Sequence, residues 1–86
     1  MNTIYVSVYV SVDYKGTCLG DVQEVYQIYL KSDDFNDAID NIDDILDDNL
    51  HLISRCCCQC YPNITIINKD EAQKRGIDRV MTLRKC

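Results

Sequence analysis

The chain has 86 residues, of which 47% are hydrophobic and 27% are charged. A chain of this length forms one domain, residues 1–86, and buries only about 60 to 65% of the surface that its unfolded form exposes. The composition excludes a disordered or membrane-spanning chain, and the small core excludes a deep cofactor cavity, so we expect no cofactor and a function carried by the surface.

Charge is distributed unevenly along the chain, whose net charge is -5. Residues 1–50 contain 2 basic and 11 acidic side chains, whereas residues 51–86 contain 7 basic and 3 acidic side chains. An acidic half of this kind repels nucleic acid and attracts basic surfaces. We therefore expect a protein partner with a basic, nucleic-acid-binding surface, and no direct contact with nucleic acid.

The first residues do not form a targeting signal. They lack a basic segment, and residues 3–12 alternate polar and apolar side chains where a signal peptide or membrane helix is uniformly apolar. This pattern predicts a cytoplasmic protein that does not contact membranes. Three of the six cysteines are consecutive, Cys56–Cys58, and neighbouring residues are poor disulfide partners, so we expect reduced thiols.

Strict alternation marks the first strand, in which Ile4 to Val12 place an apolar residue at every second position. A second alternating run from Val22 to Leu30 follows two glycines, Gly16 and Gly20. Residues 2–31 therefore predict a long-looped hairpin with one buried face. Its exposed face would carry three tyrosines, Tyr5, Tyr9 and Tyr29. They are ordinary residues of a sheet, or they stack on nucleic-acid bases, or they anchor a protein partner.

The segment from Ser32 to Leu50 has the pattern of an amphipathic helix with Ser32 as its N-cap. Its apolar residues span an arc of about 140° on a helical wheel. They are Phe35, Ala38, Ile39, Ile42, Ile45 and Leu46. Eight aspartates fall on the opposite half: Asp33, Asp34, Asp37, Asp40, Asp43, Asp44, Asp47 and Asp48.

The remaining chain predicts extended segments at residues 51–60 and 63–68, a turn at Pro62, a short helix from Lys69 to Arg75 ended by Gly76, and a last strand from Arg79 to Arg84. The predicted fold is therefore α+β. A mostly antiparallel sheet combines the N-terminal hairpin with two or three C-terminal strands. One long acidic helix packs on one face, with a possible short second helix.

The aspartate face is the main candidate site. Its eight like-charge pairs cost about 2 to 4 kcal/mol if additive, against a total stability on the order of 4 to 13 kcal/mol. Carboxylates about 6 Å apart along the axis resemble the phosphates of a nucleic-acid strand. We therefore predict a partner-binding surface formed by Asp33, Asp37, Asp40, Asp44, Asp47 and Asp48.

Three alternatives to partner binding stay open for this face. The face is only solvated, or it is neutralised by the basic C-terminal third, or it binds Ca²⁺. Calcium binding is disfavoured because the side chains of a straight helix point away from one another and do not converge on one ion. The basic residues in question are Arg55, Lys69, Lys74, Arg75, Arg79, Arg84 and Lys85.

The cysteine run contains one C-x2-C spacing, Cys57 to Cys60, which Cys18, Cys56, Cys86 or His51 could complete as a zinc site. A second C-x2-C is absent, so we expect no metal, and small buried hydrophobic residues or a regulatory thiol are the other interpretations. His51 is interpreted as a partner for the helix C-terminus. One histidine, no Gly-rich phosphate loop and no G-x-S-x-G elbow predict a protein that is not an enzyme.

The hairpin followed by an Asp-covered helix, with Ser32-Asp33-Asp34-Phe35-Asn36-Asp37-Ala38-Ile39-Asp40 at its start, resembles the small acidic proteins that phages and mobile elements use against host defence. These are the anti-CRISPR and DNA-mimic anti-restriction proteins. The resemblance covers residues 2–50 and is limited to the arrangement of a hairpin and an acidic helix, because these proteins share no sequence motif.

The resemblance implies a non-enzymatic inhibitor in the host cytoplasm that binds a CRISPR effector or restriction nuclease through carboxylates mimicking phosphates. Two alternatives are a metal- or thiol-dependent regulator using Cys56–Cys60 and a generic protein-protein interaction module. A homodimer is also compatible with the acidic and basic halves.

Overall fold

The computed structural model describes residues 3–55 and 61–84. The described chain is α+β, as predicted. Its elements in order are β1 (Ile4–Asp13), β2 (Gln23–Ser32), α1 (Phe35–Asp40), α2 (Ile42–Asp48), α3 (Leu50–Ile53), β3 (Asn63–Ile67), α4 (Lys69–Arg75) and β4 (Arg79–Arg84). None of the helices in these two ranges is long and apolar enough to cross a membrane.

The predicted hairpin is confirmed. β1 and β2 pair antiparallel along their whole length, from Ile4 opposite Ser32 to Asp13 opposite Gln23. In the loop between them Gly16 and Gly20 have φ values of 87° and 74°, a region that residues with a Cβ rarely adopt. The glycines thus permit the loop that the strand register requires.

The sheet has the strand order β3-β1-β2-β4. β3 pairs antiparallel with β1, whereas β4 pairs parallel with β2, from Tyr26 opposite Arg79 to Lys31 opposite Arg84. The sheet is therefore mixed, which corrects the expectation of a mostly antiparallel one. The parallel pairing arises because β3 and β4 are joined by a crossover that contains a helix, and such a crossover returns the chain in the same direction.

The long acidic helix predicted from Ser32 to Leu50 is wrong, because three short helices replace it. The chain leaves helical geometry at Asn41 (φ -108°, ψ 15°) and at Asn49 (φ -112°, ψ 18°). The side-chain amide of Asn41 donates to the carbonyl of Asp37 at 2.8 Å, and that of Asn49 donates to the carbonyl of Ile45 at 2.7 Å. Asparagine side chains that compete for backbone groups in this way interrupt helices.

The predicted N-cap is also corrected, since Asp34 and not Ser32 begins α1. The backbone N–H groups of Asn36 and Asp37 donate to the Asp34 carboxylate, at 2.8 and 3.4 Å to Oδ1. Asp34 has extended backbone geometry, as an N-cap residue should. Ser32 instead closes a turn, in which its hydroxyl accepts from Asp34 N–H and donates to Asp34 C=O.

Helices cover both faces of the sheet. α1, α2 and α3 enclose the core with the even-numbered residues of β1, through Ala38, Ile45, Leu46 and Ile53. α4 lies on the other face, where Ala72 is buried and Arg75 Nη1 donates to Ser11 Oγ at 3.0 Å. The crossover from β2 to β3 and the crossover from β3 to β4 run across the sheet in opposite directions. If both are right-handed, as such crossovers usually are, their helices lie on opposite faces of the sheet.

The C-terminal elements agree with the sequence prediction. α4 spans Lys69–Arg75 and β4 spans Arg79–Arg84, both as predicted. Asn68 Oδ1 accepts from Glu71 N–H at 2.7 Å to start α4, and Gly76, with φ 91°, ends it. The prediction of an extended segment at residues 51–60 is wrong for residues 51–53, which lie in α3. Residues 56–60 of that segment lie outside the described residues.

Candidate protein-binding surface

The aspartates lie on the outer side of the helical layer formed by α1 and α2. Seven of the eight are exposed, and Asp37 is partly buried. No lysine or arginine occurs between Ser32 and Ser54, so this surface carries negative charge alone. The predicted partner-binding residues Asp33, Asp40, Asp44, Asp47 and Asp48 are all exposed, and Asp43, which the prediction omitted, is exposed beside them.

Among the side chains that the structure describes, no salt bridge joins a basic group to these five exposed aspartates. The salt bridge recorded there joins Arg55 Nε to Glu24 Oε1 at 2.7 Å. Arg75 contacts Ser11 on the opposite face of the sheet, and the Arg79 guanidinium lies 5.1 Å from the ring centre of Tyr26. These three arginines thus engage other groups, and the sheet separates Arg75 and the rest of α4 from the acidic layer.

Two aspartates of the cluster stabilise the local fold. The Asp34 carboxylate caps α1, and the Asp37 Oδ1 atom accepts from Asn41 Nδ2 at 3.1 Å. Asp37 belonged to the predicted site, and its partly buried carboxylate is therefore tied to the end of α1. The carboxylates that point to solvent without such a structural role are those of Asp33, Asp40, Asp43, Asp44, Asp47 and Asp48.

Two apolar side chains of α1 lie exposed within this acidic surface. Phe35 is 57% exposed and Ile39 is 40% exposed, although the wheel placed both on the core side. They are four residues apart and therefore adjacent on one face of α1. The buried residue of α1 is Ala38 instead. We call Phe35 and Ile39 the apolar pair.

Sequence reasoning missed the apolar pair because both residues lie in the apolar arc of the wheel. The signal for the break in the helix is the spacing of Asn41 and Asn49, two poor helix formers eight residues apart. Each begins a new helix of seven or fewer residues, α2 and α3. On a wheel restricted to α1, Phe35 still lies between Ala38 and Ile39, so the wheel gives no signal for its exposure.

A polar network lies at the loop end of the hairpin, where Tyr14 and Tyr26 are buried and Arg55 is exposed. Tyr26 OH donates to Glu24 Oε1 at 2.7 Å, and the Tyr14 hydroxyl lies 2.8 Å from that of Tyr26. Arg55 completes it, since its N–H donates to Tyr14 OH at 3.0 Å and its Nε donates to Glu24.

Burial, helped by the hydrogen bonds with Tyr14 and Glu24, raises the pKa of Tyr26 above its usual value of 10.0. The hydrogen bond with Glu24 raises the pKa of Arg55. Every buried polar side-chain atom among the described residues has a partner, so the network is a structural one that fixes the chain at Arg55.

The tyrosine prediction is confirmed in its geometry. Tyr5, Tyr9 and Tyr29 share the sheet face opposite the core, with Tyr5 57% exposed and the other two partly buried. Gln27 Nε2 lies 3.0 Å from Tyr29 OH and 3.4 Å from Tyr9 OH, and donates to both. Tyr9 and Tyr29 are thus held in place by hydrogen bonds to Gln27, which the hairpin register places between them.

The cysteine prediction falls on residues that the structure leaves undescribed. Cys57 and Cys60 lie outside residues 3–55 and 61–84, and within those ranges no three His, Cys, Asp or Glu side chains are grouped to hold a metal ion. His51 lies exposed in α3, and Cys18 lies exposed in the loop after β1. Comparisons of the chain with protein-family models, with curated proteins and with solved structures give no significant match.

Proposed function

We propose that the protein is a non-enzymatic inhibitor that acts by binding. In this proposal the outer surface of α1 and α2 contacts a basic, nucleic-acid-binding surface of a host defence protein, in the host cytoplasm. The observation that carries the proposal is the apolar pair, Phe35 and Ile39, exposed inside an acidic surface whose exposed aspartates form no salt bridge with a described basic residue. The kind of target, a CRISPR effector or a restriction nuclease, comes from the resemblance to anti-defence proteins.

The apolar pair argues against a face that is merely solvated. Burying apolar area contributes about 25 cal/mol per Å², so two adjacent exposed apolar side chains among carboxylates favour an interface over a face that is only solvated. Protein interfaces combine buried aromatic or aliphatic anchors with a polar rim. Phe35 and Ile39, flanked by Asp33 and Asp40, have this arrangement.

The carboxylates supply the rim and the electrostatic attraction. Six exposed carboxylates without a structural role would accelerate encounter with a basic surface, and this effect weakens as salt screens the charges. The break at Asn41 divides them into a group beside α1, Asp33 and Asp40, and a group on α2. We therefore propose that the surface replaces phosphates at two separate positions and not along one straight strand.

The test is affinity capture from bacterial lysate with mass-spectrometric identification, followed by binding measurements with the purified partner. Two variants probe the surface separately: one changes Asp40, Asp44 and Asp47 to Asn, and the other is Phe35→Ser. The control for net charge removes two carboxylates from α4, which lies on the opposite face, by changing Asp70 to Asn and Glu71 to Gln.

We expect the native chain and the α4 control to capture the same nucleic-acid-binding protein. The triple Asn variant should bind it at least tenfold more weakly at low salt, with a smaller dependence on salt. Phe35→Ser should weaken binding while leaving the salt dependence unchanged. If the triple Asn variant binds as tightly as the native chain, the acidic surface is not the interface and the proposal is wrong.

The metal- or thiol-dependent alternative is a separate hypothesis with its own measurement. It requires stoichiometric zinc in the purified native protein and its loss in the Cys57/Cys60→Ser variant. The same variant should capture the partner normally if the acidic surface is the interface.

A further inference from the structure

We propose that two copies of the chain pair through the open edge of β1, at Ile4–Val8, and so join their sheets into one. β1 has ten residues, and β2 pairs with all of them. β3 pairs only with the second half, from Tyr9 to Asp13. Among the described residues, Ile4–Val8 therefore have a strand neighbour on one side only.

The edge is open because β3 ends early. β3 stops at Ile67, opposite Tyr9, and the next residue, Asn68, caps α4 and directs the chain onto the other face of the sheet. An open depression marks this step in the sheet, lined by Ser7, Val8, Tyr9, Ile66, Ile67 and Lys69. The N–H and C=O groups of alternate residues along such an edge point outward and can bind a further strand.

The sequence of the edge suits a second copy of itself. Ile4–Val8 read Ile-Tyr-Val-Ser-Val, without a charged residue. Antiparallel pairing centred on Val6 places Val6 opposite Val6 of the second copy, and Tyr5 opposite Ser7 of the second copy. Apolar side chains then meet apolar ones on the core face, and polar meet polar on the other, so the alternation of both strands is kept.

The outer edge of β4 lacks this property. Its sequence has an arginine at each end, Arg79 and Arg84. A strand added along this edge would therefore meet a charged residue near each end. Charged residues on an edge strand disfavour the addition of another strand.

Charge and size predict how the pairing behaves. Each copy has a net charge of -5, so two copies repel, and added salt strengthens their association. Five residues on each side bury less than the roughly 1,600 Å² of a standard interface, so the dimer is weak. Antiparallel edges are related by a two-fold axis perpendicular to the sheet, which puts both acidic helical layers on the same side. The pairing itself does not depend on the function of those layers.

The test is sedimentation equilibrium of the full chain from about 10 μM to 1 mM, in low and in high salt. The variant Tyr5→Lys/Ser7→Lys places two lysines opposite two lysines in the proposed register. The variant Tyr5→Lys/Ser7→Asp places a lysine opposite an aspartate twice. The matched control, Val80→Lys/Thr82→Lys, introduces the same charges on β4, and circular dichroism confirms that each variant is folded.

We expect a native monomer-dimer equilibrium that shifts toward the dimer in high salt. The double-lysine variant should weaken it at least tenfold, the lysine-aspartate variant should restore it, and the β4 control should leave it unchanged. A native chain that stays monomeric at every concentration would overturn the proposal and leave the edge to a strand of another protein. A dimer whose dissociation constant does not change with the charges at positions 5 and 7 would also overturn it.

Discussion

The hydroxyl oxygens of Tyr14 and Tyr26 lie 2.8 Å apart, and both residues are fully buried. Tyr14 follows β1 and Tyr26 lies in β2, so this hydrogen bond closes the hairpin on its core side. Glu24 and Arg55 extend it to the segment that follows α3. The hydroxyls of Tyr14 and Tyr26 thus connect the end of β1, β2 and the segment that follows α3.

Alkaline pH should destabilise the fold through Tyr26. Because the pKa of Tyr26 is raised in the folded state, folding stabilises its neutral form. This contribution is fully present below pH 10 and is lost as pH rises toward the folded pKa, since the unfolded phenol ionises first. We expect it to lower the free energy of unfolding by about 1.4 kcal/mol per pH unit above pH 10. Urea unfolding between pH 8 and pH 11 measures this slope.

The matching variant is Tyr26→Phe, which keeps the ring and removes the ionisable group. It should unfold at lower urea at pH 8, because Glu24 loses a hydrogen bond, and should show a smaller decrease above pH 10. Tyr5→Phe, at an exposed position, is the control and should behave like the native chain. Equal slopes for Tyr26→Phe and the native chain would contradict this prediction.

The start of α1 should depend on Asp34 and not on its neighbours. Asp34→Ala removes the carboxylate that accepts from two backbone N–H groups, and should lower the free energy of unfolding by about 0.5 to 2 kcal/mol. Asp33→Ala, which removes the same charge one residue earlier, should change it far less. Urea denaturation of both variants decides the assignment, and equal effects would show that charge and not capping is responsible.

The end of α2 should become more stable when its aspartates lose their charge. Asp47 and Asp48 lie in the last turn, where the helix dipole disfavours negative charge, and Asp43 and Asp44 repel them. Asp47→Asn/Asp48→Asn should therefore raise the free energy of unfolding by about 1 kcal/mol at low salt. The gain should shrink in 1 M salt, at about which the Debye length is 3 Å.

The first turn of α4 is the control for this prediction, because Asp70 and Glu71 lie at a favourable end of the dipole. Asp70→Asn should leave stability unchanged or lower it slightly. A gain in stability at Asp70 equal to that at Asp47 and Asp48 would mean that net charge, and not position in the helix, determines the effect.

Asn49 should be required for the fold at the junction of α2 and α3. It is 5% exposed, and its amide donates to the Ile45 carbonyl at 2.7 Å. Asn49→Ala leaves that buried site without its donor and should cost about 1 to 3 kcal/mol. Asn36→Ala, at an exposed position of α1, should cost much less in the same thermal or urea unfolding experiment.

Local patterns in the sequence were sufficient for the hairpin and for the C-terminal helix and strand. The alternation from Ile4 to Val12 defines the buried face of β1, and Gly76 marks the end of α4. The partner of β4 could not be predicted, because parallel pairing with β2 depends on where a crossover carries the chain and leaves no periodic signal in Arg79–Arg84.

The candidate surface was predicted only in part. Charge segregation identified the exposed aspartates, since a buried unpaired carboxylate is too costly. It did not identify the apolar pair, because Phe35 and Ile39 fit the apolar arc of a continuous helix and the two asparagine amides that break it act through backbone carbonyls. Their exposure is a consequence of three-dimensional packing.

We expect the contact between Val25 and Asp78 to form late in folding. Val25 N–H donates to the Asp78 carboxylate at 2.9 Å, and Asp78 N–H donates to the Val25 carbonyl at 2.8 Å, across 53 positions of sequence. The hairpin forms from local contacts and is fast, whereas this distant pairing must wait for a long loop to close. Until β4 arrives, the outer edge of β2 is available to any other strand, so aggregation should compete with folding at this step.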